Sequence, residues 1–286
     1  MKKILIIIVL LLEVYLCFCS KEVVKEFTLT LNLIMYSLMP TMFFQVFFSN
    51  VLINTDLYKY IPNKLCNFFN ISKKEGAIYF LSMFSGYPNN IKLLNNSKNE
   101  YLNYSSNFIN PLFLIGSVGS LYLHNIKITI IILISHIISN IFMLFIFRNK
   151  YVYEEYNFNN TNNIYSNSLK TTINTLSIIF SNLLFISILV SLLKLVLPFN
   201  NNINSFILGL LEFSRGIYEI SYLNISIYLK GLLILIIITF SSFSIHFQII
   251  SINEKIKYIK FLIYRILNVL ISIFIYFIII FIYTNV

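Results

Sequence analysis

The chain has 286 residues, 58% of them hydrophobic and only 11% charged, with a mean hydropathy of +0.79 and a formal net charge of +10. That composition excludes an ordinary soluble domain, and the basic excess lacks the interleaved stacking aromatics of a nucleic-acid surface, so lysines flanking membrane spans account for it. Three cysteines in apolar context, three scattered histidines and the absence of HExxH, CxxC or a Gly-rich phosphate loop exclude a metalloenzyme, a disulfide framework and an ATP-driven pump; no cofactor and no enzymatic activity are expected.

In chain order, Ile4 to Cys19 is apolar after Lys2 and Lys3. Glu13 interrupts it and no small-x-small cleavage site follows, so residues 1–26 are expected to keep a hydrophobic first helix followed by a short amphipathic segment. Phe27 to Ile53 is a long span with Pro40 near its middle, and the basic stretch Asp56 to Glu75 is expected to lie at the membrane interface. "AIYFLSMFSGYPNN" (Ala77–Asn90) then opens like a membrane helix and breaks at Ser85-Gly86-Tyr87-Pro88. "SSNFINPLFLIGSVGSLYL" (Ser105–Leu123) is a span carrying polar residues, and Ile126 to Phe147 is a clean one. After a polar linker at 148–170, Ile173 to Leu197 spans, Ile203 to Ser221 is interrupted at Glu212, Ile225 to Ile250 spans and Phe261 to Thr284 closes the chain.

The halves 27–147 and 171–286 repeat one order: long span, interrupted segment, polar span, clean span. Ala77 to Ser85 and Ile203 to Leu211 each rise about 13 Å before their break, under half of the roughly 30 Å hydrocarbon core. Of seven glycines in all, Gly86, Gly116, Gly119, Gly209 and Gly216 fall in these interrupted or polar segments. Short, Gly/Pro-interrupted segments at matching positions of two halves point to a transport site. If both segments are re-entrant, Lys2, Lys3, Lys59, Lys64, Lys73, Lys74, Lys92, Lys98, Arg148, Lys150, Lys170, Lys255, Lys257, Lys260 and Arg265 share one side, opposite Lys21, Lys25, Lys127, Lys194 and Lys230. The positive-inside rule favours that arrangement. The expected fold class is therefore an all-α polytopic membrane protein of about seven crossing helices plus two re-entrant broken segments, arranged as an inverted repeat.

Within those segments, Ser85, Gly86, Asn89, Asn107, Asn110, Ser242, Ser244 and Gln248 are candidate neutral contacts for a substrate, and the planar fork of Arg215 suits a carboxylate. His136 and Asn140, at i and i+4, share one face and suit helix-to-helix hydrogen bonding as well as a site. Glu212 either pairs with Arg215 or carries a coupling proton. His246 is either a ligand, as an ionisable group at membrane depth, or a packing histidine. Lys92 reads as a solvated or snorkelling lysine.

"SGYP" (Ser85–Pro88), "NPLFLIGSVG" (Asn110–Gly119), "GLLEFSRG" (Gly209–Gly216) and "SFSIHFQ" (Ser242–Gln248) occur in an order and spacing that resembles the YlbJ-type sporulation integral membrane proteins, within the nucleoside-recognition or Gate domain group. The chain departs from the family pattern at Asn89-Asn90, where small residues are usual, and at Arg215 inside the Glu motif. The resemblance implies two Gate-like repeats at 27–147 and 171–286. It further implies a multi-pass protein of the mother-cell or outer forespore membrane that carries dipicolinic acid, a flat aromatic dianion, during sporulation. Implied partners are the lipid bilayer, the small anionic substrate, and further copies of the chain or other sporulation membrane proteins. A nucleoside-like solute and a non-transporting scaffold are the alternatives.

Overall fold

A computed structural model describes residues 2–94, 97, 99–150, 163–194, 201–253 and 255–285; most of the polar linker, 151–162, lies outside them. The described residues are helical, with no strand among them, and five of the helices are long and apolar enough to cross a membrane. The helices α1 (Lys2–Phe18) and α2 (Ser20–Asn54) open the chain. At 35 residues α2 would run about 52 Å, well beyond a hydrocarbon core. It holds a π-helical stretch at Ile34–Leu38 just before Pro40, where a missing N–H loosens the ladder.

The first interrupted segment is built from short pieces. A capping box of Ser72 and Glu75 starts α4 (Lys73–Ser85), which follows the short α3 (Asn63–Phe69). The chain leaves α4 at Gly86, whose φ of 72° suits glycine, and continues through α5 (Asn89–Leu93) and α6 (Glu100–Ser105). It comes back to the end where it entered. The Glu75 carboxylate that caps α4 also accepts hydrogen bonds of 2.6 Å from Ser97 Oγ and from Asn99 Nδ2.

The second segment is a tight hairpin. The helices α10 (Asn201–Leu211) and α11 (Phe213–Ser221) are separated only by Glu212. Ser205 Oγ donates to the Glu219 carboxylate at 3.4 Å although the two are 14 residues apart, roughly 21 Å in a continuous helix. Between them Gly209 and Gly216 bring the two backbones together, and a Cβ on Gly216 would run into the Gly209 backbone.

The remaining helices are the π-helical α7 (Phe113–Tyr122), α8 (Ile126–Ile146), α9 (Ile164–Lys194), α12 (Ile227–Phe240), α13 (Phe243–Ile252) and α14 (Tyr258–Asn285). Left-handed backbone at Ser241 and Ser242 divides α12 from α13. The three helices α8, α12 and α14 pack together, burying Ile131, Ile132, Ile234, Leu235, Ile238 and Phe261, while Phe274, Phe277 and Phe281 on α14 stay exposed. An exposed aromatic face of that length fits lipid rather than water.

Contacts sort the loops into two ends. At one end Asn54 bonds Ser168, Lys257 and Lys260 pair with Glu100, Tyr101 stacks on Phe147, and Arg148 lies over Phe68 and Phe145. At the other, Arg215 meets Glu26, Tyr122 packs on Tyr218, and Lys230 donates to the Ser221 carbonyl. Arg265, expected among the interfacial basic residues, is instead inside the protein.

The hairpin gives a direct stability test. Gly216→Leu must push two backbones apart, so it should destabilise by about 3 kcal/mol or more, the upper end for overpacking, with Gly216→Ala milder. Thermal unfolding in detergent reads this; an unchanged melting temperature for Gly216→Leu would contradict the hairpin.

Candidate functional site

Non-helical backbone at membrane depth needs partners from the protein itself. Those of the first break come from the irregular segment 106–110 and from α8. The Tyr87 N–H donates to the Phe108 carbonyl at 2.9 Å. Gly86 lies so close to this segment that a Cβ would sit 2.8 Å from Asn110 N. Asn110 Oδ1 accepts from Phe113 N at 2.9 Å and so starts α7. Asn90 Nδ2 donates to Ser106 Oγ and Asn107 Oδ1. The Ile109 N–H donates to His136 Nε2 at 3.1 Å. That bond fixes the tautomer: Nδ1 carries the proton and donates to Thr239 Oγ1 at 3.0 Å. His136 thus joins the broken segment to α8 and α12.

Arg265 of α14 sits at this junction with 0% exposure. Its NH1 donates to the Tyr104 carbonyl and to Asn140 Oδ1, both at 3.3 Å, and NH2 donates to the Thr239 carbonyl. Asn140 Oδ1 also accepts from Asn268 Nδ2 at 2.9 Å. Among the described residues no carboxylate lies within ion-pair distance of Arg265, and its Nε has no partner. A buried cation neutralised only by carbonyl dipoles is costly, and a fold keeps one where an anion gains from it.

The two breaks meet beside it. Tyr87 packs edge-on against Phe213, ring centroids 6.0 Å apart, and Phe213 against Phe113 at 5.8 Å. The helix that begins at Asn89, α5, packs on α13, which carries Ser244 and Gln248. Buried polar atoms without a hydrogen bond concentrate in these segments: Ser85 Oγ, Tyr87 OH, both amide atoms of Asn89 and of Gln248, Asn107 Nδ2, Asn110 Nδ2 and Ser244 Oγ. Native interiors satisfy nearly all such groups, so each of these atoms calls for a partner, whether water, an ion or a ligand.

Of the residues expected at a site, Ser85, Asn89, Asn110, Ser244, Gln248 and, at NH1, Arg215 carry such atoms, and Gly86 supplies the close approach. Glu212, Arg215 and His246 also make contacts within the fold. Glu212 caps α11, accepting from Ser214 N at 3.0 Å, Arg215 N at 2.6 Å and Ser214 Oγ. It meets the Arg215 backbone rather than its guanidinium. The Arg215 side chain turns instead to Glu219, 2.8 Å from Nε, and to Glu26, 3.5 Å from NH2. Its place one turn before Glu219 on α11 takes it to a pair of acids at the protein's edge. The His246 Nε2–H donates at 2.8 Å to the Phe240 carbonyl at the end of α12, and its ring is wedged among Phe240, Phe243 and Phe261. It is a packing histidine.

Arg265, which the sequence reading passed over in favour of Arg215, is the fully buried cation of this region. Its visible signal is a stripe at helical spacing through an otherwise apolar helix: Phe261, Arg265, Asn268, Ser272 and Tyr276. Tyr87 was hidden because its role depends on backbone from a distant segment. Among the described residues no cluster of His, Cys, Asp or Glu could hold a metal ion. Comparison with protein-family models, with curated proteins and with solved structures returned no match.

If these amides are unsatisfied in the ligand-free protein, apolar replacements of like shape remove a penalty of about 1–3 kcal/mol each. Asn89→Leu and Gln248→Met should raise the melting temperature of the purified protein. A clear fall for both would show that the amides bond within the fold.

Proposed function

We propose that this protein is a multi-pass membrane transporter of a small organic anion, bound between the two broken segments. The observation that carries this reading is Arg265, a buried guanidinium without a carboxylate, beside unsatisfied amides and hydroxyls. A carboxylate arriving there would take the free Nε and complete the coordination of the guanidinium.

The proposed architecture is the inverted repeat, about seven crossing helices with one re-entrant hairpin from each side, as in secondary transporters. Two grooves open toward the site from opposite ends. One of about 680 Å³ is lined by Lys92, Ser177, Ser181, Asn182 and Ser251. The other, of about 660 Å³, is lined by Lys25, Asn32, Tyr36, Tyr122 and Tyr218. The resemblance to YlbJ-type proteins supplies the solute, dipicolinate, and the setting, the outer forespore membrane during sporulation.

Uptake of labelled dipicolinate into proteoliposomes tests this. Loss of a buried charge-assisted hydrogen bond costs about 1.5–3 kcal/mol, so Arg265→Gln should weaken apparent affinity roughly ten- to hundredfold. Arg265→Lys keeps the charge without the fork and should fall between, while Lys127→Gln should match the wild type. Normal transport by a well-folded Arg265→Gln would move the site elsewhere. Uptake of uridine but not dipicolinate would replace the substrate, and uptake of neither would favour a scaffold. In cells, thiols at Lys257→Cys and Asn202→Cys should be reached from opposite sides; labelling of both from outside would break the proposed topology.

A further inference from the structure

We infer that the groove between α5, α9 and α13 is a water-filled, anion-selective entrance to the site, with Lys92 as its selecting charge. Its purpose rests on the transporter reading above, but its existence is testable without any transport.

The groove sets polar side chains beside Ile178 and Ile252, where a membrane helix should be apolar throughout. Ser177, Ser181 and Asn182 interrupt the apolar run of α9 on the side facing α5 and α13. Turned to hydrocarbon, an asparagine amide and several hydroxyls would be costly, so such a face is kept where protein or water meets it. The contrast with the apolar pocket under α3 and α4 is sharp. That one is lined by Ile61, Leu65, Phe69, Met83 and Leu144, as a lipid-facing hollow should be.

The groove also continues the site along the same helices. Lys92 lies one turn beyond Asn89 on α5, and Ser251 one turn beyond Gln248 on α13. A solute passing the groove therefore moves directly onto side chains with unsatisfied polar atoms.

Lys92 is fixed rather than trailing in solvent. Its Nζ donates to Thr175 Oγ1 at 2.9 Å and to the Thr171 carbonyl at 3.4 Å, which pins the ammonium against α9. An ammonium has three protons, so one remains for the groove. Among the described residues no carboxylate pairs with it. A fixed charge in a cleft with low-dielectric walls concentrates counter-ions, here anions, and repels cations.

The test uses the full chain with Cys17, Cys19 and Cys66 replaced by serine and one thiol introduced as Ser181→Cys. Vesicles exposing the Lys257 end are treated with anionic sulfonatoethyl or cationic trimethylammonioethyl methanethiosulfonate, each rate normalised to its reaction with free thiol. Both reagents should react, the anionic one faster. That preference should shrink several-fold in Lys92→Gln, reverse in Lys92→Glu, and persist in Lys127→Gln. No reaction with either reagent would mean that lipid fills the groove, and an oxidative disulfide between two copies would make it a subunit interface; either overturns the inference. A preference unchanged in Lys92→Gln removes the role of the lysine. Retained preference together with normal transport by Arg265→Gln would leave the entrance standing and sink only the placement of the site.

Discussion

The structure turns on one arginine held away from water, with no counter-ion among the described residues. Arg265 is solvated there by the carbonyl oxygens of Tyr104 and Thr239 and the amide oxygen of Asn140, drawn from three separate elements. Each of those acceptors must be presented by backbone or side chain at a fixed place, which constrains α6, α8, α12 and α14 together. His136 extends the same constraint to the broken segment through Ile109 and Thr239. A buried ionic group is weak evidence for stability, since apolar residues of similar volume usually serve at least as well. The arrangement makes sense as a cost borne for binding, and the unsatisfied amides at Asn89 and Gln248 point the same way.

Much of the fold was legible in the sequence because membrane spans and their interruptions are written in composition. Gly86 and Glu212 do mark the two breaks, and both segments do return toward the end they came from. The pairing of glycines across the second hairpin was less visible. Gly209 and Gly216 stand out only as rare residues, and their contact follows from a reversal that spacing alone does not fix.

The sequence pointed to the neutral residues at the breaks and, among the cations, to Arg215 rather than the buried Arg265. Ser85, Asn89, Asn110, Ser244 and Gln248 sit in breaks or beside them, so local interruption found them. Arg215 drew attention because it shares a motif with Glu212, yet its side chain follows the helix face toward Glu219 and Glu26. Arg265 was lost in a run of basic residues that reads as an interfacial cluster. Helical phase separates the two cases: Lys257 and Lys260 reach out to Glu100, while Arg265 shares the buried stripe of Phe261 and Asn268.

The glycine contact within the second hairpin has a mechanical consequence. With no side chain between the Gly209 and Gly216 backbones, α10 and α11 have nothing compressible to slide on, so the pair transmits force like a solid lever. One arm is tied by Arg215 to Glu26 on α2, and the other is hooked by Ser242 Oγ on the Gly209 carbonyl to the joint between α12 and α13. A tilt of α2 near Glu26 would thus be delivered to the joint at Ser241 and Ser242, where the chain has already left helical geometry.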